Sequence, residues 1–287
     1  MKLKLSLKNS TKAALLFNLI FSLLLYGCEN QLEPTYKDRD IPFVIKKICK
    51  EEYDLDVTTI RTHNTLWVYA PLNKILHKDY DGINKNKIFD EEMSEKLRNI
   101  LTTIGRVLIS SDNTPEFFAL LVSDINLGID YTLIGYTLDI KKSYAEFIPW
   151  TEANRRYVMQ FKLSPEASGD KIGTHLIAAD IRLPDFLAMQ IAQRIVILLQ
   201  DDKFKKYLKI KNVEGKFNEG TFSFDYDIEQ IALPDRQIDL KREMLKTIAY
   251  CIRTYEFKDF SDVEINDLKM NDKTIFSKAA LWEKPTE

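Results

Sequence analysis

The spacing of apolar residues changes in the same order twice along this chain. Between residues 41 and 146, each of two helical periodicities is followed by two short segments with strand-like alternation. The same order of helix, strand, strand, helix, strand, strand returns between residues 183 and 287. Helices that are separated by pairs of strands are typical of α+β architectures. The sequence therefore predicts an α+β fold, and two tandem units with antiparallel sheets fit the recurring order, whether it arose by duplication or by chance.

The apolar positions also predict where the individual elements lie. In the first unit they indicate a helix that Pro42 opens, strands near 55–61 and 66–70, a helix over 91–110, and strands near 117–122 and 131–138. In the second unit they indicate a helix after Pro184, strands near 207–213 and 221–228, a helix over 240–255, and strands near 263–268 and 274–281. Between the units, 156–163 and 174–181 are expected to form a hairpin or paired strands.

The start of the chain differs in composition from the rest. Four lysines and no acid accompany an apolar run from Ala13 to Tyr26, and the small residue Gly27 follows. A basic region, an apolar run and a small residue in this order are typical of a secretory signal peptide. The run has 14 residues, fewer than the roughly 20 that a membrane-spanning helix needs. We therefore expect a cleaved signal rather than a permanent membrane span.

The four residues from Leu25 to Cys28 resemble the bacterial lipobox, in which an aliphatic residue, a tolerant position and a small residue precede an invariant cysteine. Tyr26 is larger than the residue that this motif usually carries there. The resemblance implies that the Cys28 thiol receives a diacylglyceryl group, that the leader is removed, and that the new amine takes a further acyl chain such as palmitate. Several acyl chains would anchor the protein durably to a bacterial membrane, facing outside the cytoplasm. An ordinary signal peptide with a chance cysteine is the alternative.

The leader and the periodicities together divide the chain into five parts. Residues 29–40 are polar, contain Pro34 and show no apolar period, which is typical of a tether. The predicted parts are a lipoprotein signal peptide over 1–27, a tether over 28–40, a first unit over 41–146, connecting strands over 147–182 and a second unit over 183–287. Anchoring in the inner membrane and in the outer membrane both remain open.

The net charge limits the classes of partner. The full chain has a formal net charge of -2, and removal of the four leader lysines takes it to -2 - 4 = -6. Surfaces that bind nucleic acid, or that dock electrostatically on anionic lipids, carry an excess of basic residues. The mature protein has no such excess. We therefore expect no nucleic-acid partner, and we expect lipid rather than charge to hold the protein at the membrane.

No recognisable catalytic or cofactor motif occurs in the sequence. There is no G-x-S-x-G elbow and no glycine-rich phosphate loop. None of the three histidines has metal-ligand spacing to another, and these are His63, His77 and His175. Two acid pairs could supply a general acid and base if folding joined them, with capping and turn roles as the alternative; they are Asp124 with Asp130 and Asp180 with Asp185. The sequence therefore assigns no catalytic, cofactor or metal residue.

One loop is rich in groups that calcium binds. Asp79, Asp81 and Asn84 surround Gly82, and oxygen ligands around a tight turn are typical of calcium sites. The EF-hand pattern is not met, because His77 falls on the first ligand position. We expect a polar surface loop before the next helix, with a calcium site formed by Asp79, Asp81 and Asn84 as the alternative.

Two further features have a structural and a functional interpretation. Once Cys28 is lipidated, Cys49 and Cys251 remain, and we expect two buried thiols, although an exported compartment permits a disulfide.

Aromatic residues occupy every second position in two predicted strands, so each set lies on one face of its strand. The first set is Trp67 and Tyr69, and the second is Phe222, Phe224 and Tyr226. We expect both faces to be buried under helices, with an exposed binding groove as the alternative.

Two classes of function remain. The anchor, the tether and the absence of a catalytic motif favour a non-catalytic lipoprotein of the cell envelope that binds an envelope protein or a small ligand. The alternative is a lipid-anchored hydrolase whose acidic residues are dispersed in the sequence. A cleft where acids with raised pKa values converge would favour the hydrolase, whereas an exposed aromatic or apolar patch would favour the binding protein.

Overall fold

The computed structural model of the protein describes residues 34–77, 88–233 and 239–282. The lipidation candidate Cys28 and the calcium candidates Asp79, Asp81 and Asn84 lie outside these residues. The described chain forms helices and two sheets of five and four strands, which confirms the predicted α+β class. Within these ranges, no helix is both long enough and apolar enough to cross a bilayer.

The first sheet has five strands in the order β1-β2-β3-β4-β5. Its strands and helices follow one another along the chain as α1 (Ile41–Tyr53), β1 (Thr58–Arg61), β2 (Thr65–Leu72), α2 (Glu91–Ile109), β3 (Phe117–Asp124), β4 (Ile129–Tyr136), α3 (Thr137–Tyr144), α4 (Trp150–Arg156) and β5 (Val158–Leu163).

The second sheet has four strands in the order β6-β7-β8-β9. The elements of this part are α5 (Leu183–Leu199), α6 (Asp202–Lys205), β6 (Leu208–Asn218), β7 (Thr221–Gln230), α7 (Leu240–Thr254), β8 (Asp262–Asp267), β9 (Asp272–Ser277) and α8 (Lys278–Trp282).

The two sheets pair their strands in the same way. In the first sheet, β1 with β2 and β3 with β4 are antiparallel, whereas β2 with β3 is parallel. In the second sheet, β6 with β7 and β8 with β9 are antiparallel, whereas β7 with β8 is parallel. The sequence predicts antiparallel sheets, but each sheet contains one parallel pair and is therefore mixed. Two neighbouring strands are parallel when the chain returns to the end of the sheet at which the first of them began. The helices α2 and α7 lie in the two long connections that return the chain in this way.

One face of the first sheet packs against α1 and α2. The α2 residues Met93, Leu97, Ile100 and Ile104 recur at helical spacing and are buried against buried residues of β2, β3 and β4. The side chain of Asp90 caps this helix by accepting a hydrogen bond from the Glu92 N–H at 3.1 Å. The helix thus begins at Glu91, as the sequence predicts.

The other face of the first sheet is covered by α5 and by residues 164–182. Phe186 of α5 packs against Phe117 of β3, with ring centroids 5.3 Å apart. The expectation of a strand over 174–181 is wrong, because β5 pairs with β4 and the later segment is held by side chains. Trp67 Nε1 donates to the Ala179 carbonyl at 2.8 Å, and such single contacts fix a loop without a strand ladder.

In the second unit, α5 and α7 cover one sheet face. Phe222, Phe224 and Tyr226 are buried there, which confirms burial under helices for the second aromatic set. Tyr69 of the first set is also buried, but beneath Asp170 and Gly173 of residues 164–182 and not beneath a helix. Trp67 is half-buried. On the opposite face of the second sheet, Ile275 of β9 remains exposed.

The two remaining cysteines are buried free thiols in separate units. Cys49 lies in α1 and Cys251 in α7, and neither is paired in a disulfide. Burial raises the pKa of Cys49 to about 11 and the pKa of Cys251 to about 12. Both thiols therefore remain protonated near neutral pH, and they act as small core residues.

A buried ionic network joins the two units. Arg156 Nη1 of α4 lies 2.7 Å from Asp139 Oδ1 of α3, and Tyr255 donates to Asp139 Oδ2 at 2.5 Å. Glu152 Oε1 lies 3.1 Å from Arg156 Nε and 2.7 Å from Arg194 Nη2 of α5. Because α3 and α4 lie between β4 and β5 of the first sheet and α5 precedes the second sheet, this network fixes the orientation of one unit on the other.

Candidate functional site

An apolar pocket of about 360 Å³ lies between α2, α3, α4 and the start of β5. Its position follows from the chain path, because β4 runs directly into α3 and the chain returns through α4 to β5. We call it the aromatic pocket, and the lining residues that matter here are Leu97, Leu101, Gly105, Tyr144, Trp150 and Tyr157.

Aromatic side chains stay partly exposed at the rim of the aromatic pocket. Tyr144 and Trp150 pack edge to face, with ring centroids 5.4 Å apart, and Trp150 is 53% exposed. Gly105 makes room for this pair, because a Cβ there would lie 3.3 Å from Tyr144 Cε2 and Oη. Phe147, in the turn between α3 and α4, is 80% exposed. Exposed aromatic residues around an apolar cavity mark interaction sites on soluble proteins.

The chemistry of the aromatic pocket suits an apolar group. Burial raises the pKa of Tyr157 to about 12, so its hydroxyl is neutral at physiological pH. The described residues that line the pocket include Arg98 but no carboxylate and no histidine. The pocket can therefore hold an aliphatic or aromatic side chain, and it offers no acid–base pair for catalysis.

The edge strand β5 continues the apolar surface away from the aromatic pocket. Met159, Phe161 and Leu163 are all exposed, Leu163 to 76%. The Phe161 ring lies 4.9 Å from the Tyr131 ring and 5.8 Å from the Phe89 ring, and Phe89 also lines the pocket. Pocket and strand therefore form one continuous apolar surface.

One side chain already makes strand-like hydrogen bonds to this edge. Gln193 Nε2 of α5 donates to the Tyr157 carbonyl at 2.8 Å, and Gln193 Oε1 accepts from the Met159 N–H at 2.8 Å. In an antiparallel ladder, alternate residues point their backbone groups away from the partner strand. The N–H and C=O groups of Phe161 and Leu163 therefore also point away from β4. An exposed edge of this kind can pair with another chain.

A polar cluster, separate from the aromatic pocket, surrounds His175. The sequence does not indicate it. His175 Nδ1 lies 2.6 Å from Asp170 Oδ2, and its Nε2 lies 3.3 Å from Asp130 Oδ1 and 3.4 Å from Ser123 Oγ. Serine, histidine and aspartate are the residue types of a hydrolase triad. Ser123, however, is fully buried and donates to Asp130 Oδ1 at 2.5 Å. A substrate cannot reach this hydroxyl, and its proton is directed to Asp130 instead of His175.

The His175 cluster fastens residues 164–182 to the first sheet. Asp170 accepts hydrogen bonds from the His175 ring, from the Thr174 hydroxyl and from three backbone N–H groups. Tyr69 of β2 donates to the Asp170 carbonyl at 2.5 Å. Burial alone would raise the pKa of Asp170, but these hydrogen bonds outweigh burial and hold it well below its usual range. The cluster therefore acts as a structural clamp.

The two acid pairs singled out in the sequence do not form an open acidic cleft. Asp124 accepts from two backbone N–H groups of its own turn, and Asp130 belongs to the His175 cluster. Asp180 accepts from a hydroxyl and a backbone N–H between β1 and β2. Asp185 Oδ2 lies 2.6 Å from Arg182 Nε. These carboxylates thus have capping, turn and pairing roles.

The histidines lie apart in the fold. His63 is exposed between β1 and β2, His77 ends the first described stretch, and His175 lies in its cluster. Across the described ranges, no group of three or more histidine, cysteine, aspartate or glutamate residues is arranged to hold a metal ion.

Comparison with protein-family models, curated proteins and solved structures found no match to this chain. Any function proposed for the protein therefore rests on its own geometry, above all that of the aromatic pocket and of β5.

Proposed function

We propose that this protein is a lipid-anchored lipoprotein of the bacterial envelope that binds, without catalysis, an extended apolar segment of a partner protein. One observation carries the proposal, namely the exposed apolar surface that the aromatic pocket and β5 share. The anchor rests on the lipobox residues that end at Cys28.

The partner segment would add a strand to the first sheet. Its backbone would pair with Phe161 and Leu163, beyond the groups that Gln193 already satisfies. One apolar side chain of the segment would enter the aromatic pocket beside Trp150. Burial of a large apolar side chain contributes about 1.5–3 kcal/mol, so the pocket would give specificity while the backbone hydrogen bonds fix the direction of the segment.

The hydrolase alternative has less support. The candidate acids cap turns or pair with Arg182 and His175, and the serine beside His175 is sealed from solvent. An exposed apolar patch without acid–base chemistry is the feature that favours a binding protein.

The proposal is tested by crosslinking in intact native cells. A photoreactive phenylalanine analogue replaces Phe161, and in a matched control it replaces Ile275, which is 57% exposed on β9 against 46% for Phe161. We expect a discrete crosslinked partner at position 161 and none at position 275. Mass spectrometry should map the crosslink to an extended apolar segment of that partner.

Two variants make the test specific to this surface. Phe161→Glu introduces a charge on β5, and Trp150→Ala opens the rim of the aromatic pocket, so either change should remove the partner that copurifies with the wild-type protein. Ile275→Glu should leave it bound. Equal crosslinking at positions 161 and 275, or a partner that survives Phe161→Glu, would show that this surface is not the binding site.

A further inference from the structure

A second pocket, of about 550 Å³, lies at the end of the first sheet where β2 and β3 begin. Four parts of the chain meet there, namely the segment before α1 that contains Asp38, the β1–β2 turn, the residues before β3 and the first turns of α3. We call it the polar pocket, and the lining residues that carry the inference are Arg61, His63, Glu116, Tyr136, Thr137 and Lys141.

One side of the polar pocket suits an oxyanion. It contains the N-terminus of α3, an eight-residue helix whose N-cap residue Tyr136 makes no side-chain capping bond. The backbone N–H groups of a first helical turn carry partial positive charge and bind anions. Lys141, one turn further along, donates to Thr114 Oγ1 at 3.1 Å and has two further protons to give.

Thr137 gives independent evidence for a ligand at this helix end. The residue lines the polar pocket and is only 2% exposed, yet its hydroxyl oxygen has no hydrogen-bond partner among the residues that the structure describes. Leaving a buried polar group unsatisfied costs about 1–3 kcal/mol. The hydroxyl oxygen is closed off from solvent in this conformation, so a ligand oxygen at the start of α3 would satisfy it once the Thr137 side chain rotates toward the pocket.

The other side of the polar pocket suits a cation. Glu116 is half-buried, and burial raises the pKa of its carboxyl group. Among the described residues no cationic side chain pairs with it, because Arg61 is paired with Asp38 and Lys141 bonds to Thr114. A simple anion would be repelled by the Glu116 carboxylate, whereas an ammonium group would pair with it and contact the Tyr136 ring.

We propose that the polar pocket binds a small zwitterion, with its carboxylate or phosphate at the N-terminus of α3 and its ammonium group at Glu116. Lys141 and the Thr137 N–H already bond to Thr114 and to the Glu116 carbonyl, so among the described residues the groups left for the ligand are the Thr137 hydroxyl and the Glu116 carboxylate. A free amino acid or phosphoethanolamine has this chemistry, and so does the headgroup of phosphatidylethanolamine.

A membrane lipid could reach the polar pocket, because the chain enters the globule beside it. Asp38 lines the polar pocket, and the Tyr36 N–H donates to the Ser110 carbonyl at 3.1 Å. Six residue steps separate Cys28 from Pro34, and they span at most about 20 Å. In a protein anchored through Cys28, the polar pocket would therefore lie close to the membrane surface.

The binding test uses isothermal titration calorimetry of the full chain in detergent with phosphoethanolamine, inorganic phosphate and ethanolamine. We expect phosphoethanolamine to bind at least about tenfold more tightly than either half, since each extra charge-assisted contact contributes about 1.4 kcal/mol or more. Equal affinity for inorganic phosphate would overturn the proposal, and so would the absence of binding by phosphoethanolamine.

Matched variants locate the two charges. Glu116→Gln should remove the preference for phosphoethanolamine over phosphate, whereas Glu95→Gln, an exposed change on α2, should not. Lys141→Ala and Thr137→Val should weaken both ligands, whereas Lys142→Ala should weaken neither. Unchanged affinities in Glu116→Gln and Thr137→Val would overturn the assignment.

The source of the ligand is distinguished in nanodiscs that contain the full chain. Occupation by lipid headgroups predicts a weaker apparent affinity for free phosphoethanolamine in phosphatidylethanolamine discs than in phosphatidylglycerol discs. Equal affinity in the two kinds of disc assigns the pocket to a free zwitterion.

Discussion

Asp170 carries more of the local structure than any other side chain in residues 164–182. It receives the His175 ring N–H and three backbone N–H groups while its side chain is buried. Asp170→Asn removes the charge from this cluster, and we expect the free energy of unfolding to fall by about 3 kcal/mol at pH 7. Urea denaturation of both proteins measures the difference. Asp259→Asn, at an exposed site, is the matched control.

The pH dependence of this difference has a defined sign. The pKa of Asp170 is lowered in the folded protein, so its contribution to stability is fully present above its unfolded pKa of about 3.9. The contribution is lost as the pH falls through the lower folded pKa. The difference in the free energy of unfolding between the wild type and Asp170→Asn should therefore become smaller below about pH 4. A gap that stays constant from pH 7 to pH 3 would contradict this role.

The His175 cluster could not be predicted from local sequence. Asp170 is only 5 residues from His175, but Asp130 and Ser123 are 45 and 52 residues away. They meet because β3 and β4 form a hairpin and residues 164–182 lie back across it. Such contacts depend on strand register and chain path, which residue spacing does not record.

At the scale of elements, long amphipathic segments were predicted well. The helix expected over 91–110 is found at Glu91–Ile109, because its apolar face recurs at helical spacing and is buried. In contrast, the strand predicted over 131–138 overlaps the first two residues of α3, and the sequence predicts no helix there. The buried residues of α3 are Thr137, Asp139, Ile140 and Ser143, so it has no apolar period to reveal it. The helix forms through tertiary packing and the Asp139–Arg156 pair.

The aromatic pocket escaped prediction for the same reason. Its walls come from α2, which the sequence indicates, and from α3 and α4, which it does not. Trp150 and Tyr144 are separated from Leu97 by the whole β3–β4 hairpin. The polar pocket is likewise assembled from four separate parts of the chain, so no local sequence motif indicates either site.

At the scale of the molecule, the network around Arg156 should make the two units unfold together. Cys49 reports on the first unit and Cys251 on the second, since both are buried free thiols. In a Cys28→Ser protein without the leader, we expect both thiols to become reactive at the same urea concentration. Arg156→Leu leaves Asp139 with only the Tyr255 hydroxyl and Glu152 with only Arg194 as partners in this network, so the variant should lower both urea midpoints and reduce the free energy of unfolding by about 3 kcal/mol.

One result of the thiol experiment would contradict the expectation that the two units unfold together. If Cys49 and Cys251 became reactive at well separated urea concentrations in the wild-type background, the units would be independently stable and the network would only orient them. Lys206→Leu, at an exposed site after α6, serves as the control for loss of a positive charge and should leave both midpoints unchanged.

Attachment to the membrane is the last property of the whole molecule that the sequence predicts. Cys28→Ser removes the thiol that would carry the lipid, and because Cys28 precedes the globule the fold should be unaffected. We expect the variant to move from the membrane fraction to the soluble fraction with an unchanged circular dichroism spectrum. The mature chain has no basic excess to hold it on anionic lipid, and headgroup binding in the polar pocket would be far weaker than several acyl chains. A Cys28→Ser protein that stayed fully membrane-bound would therefore contradict the anchor.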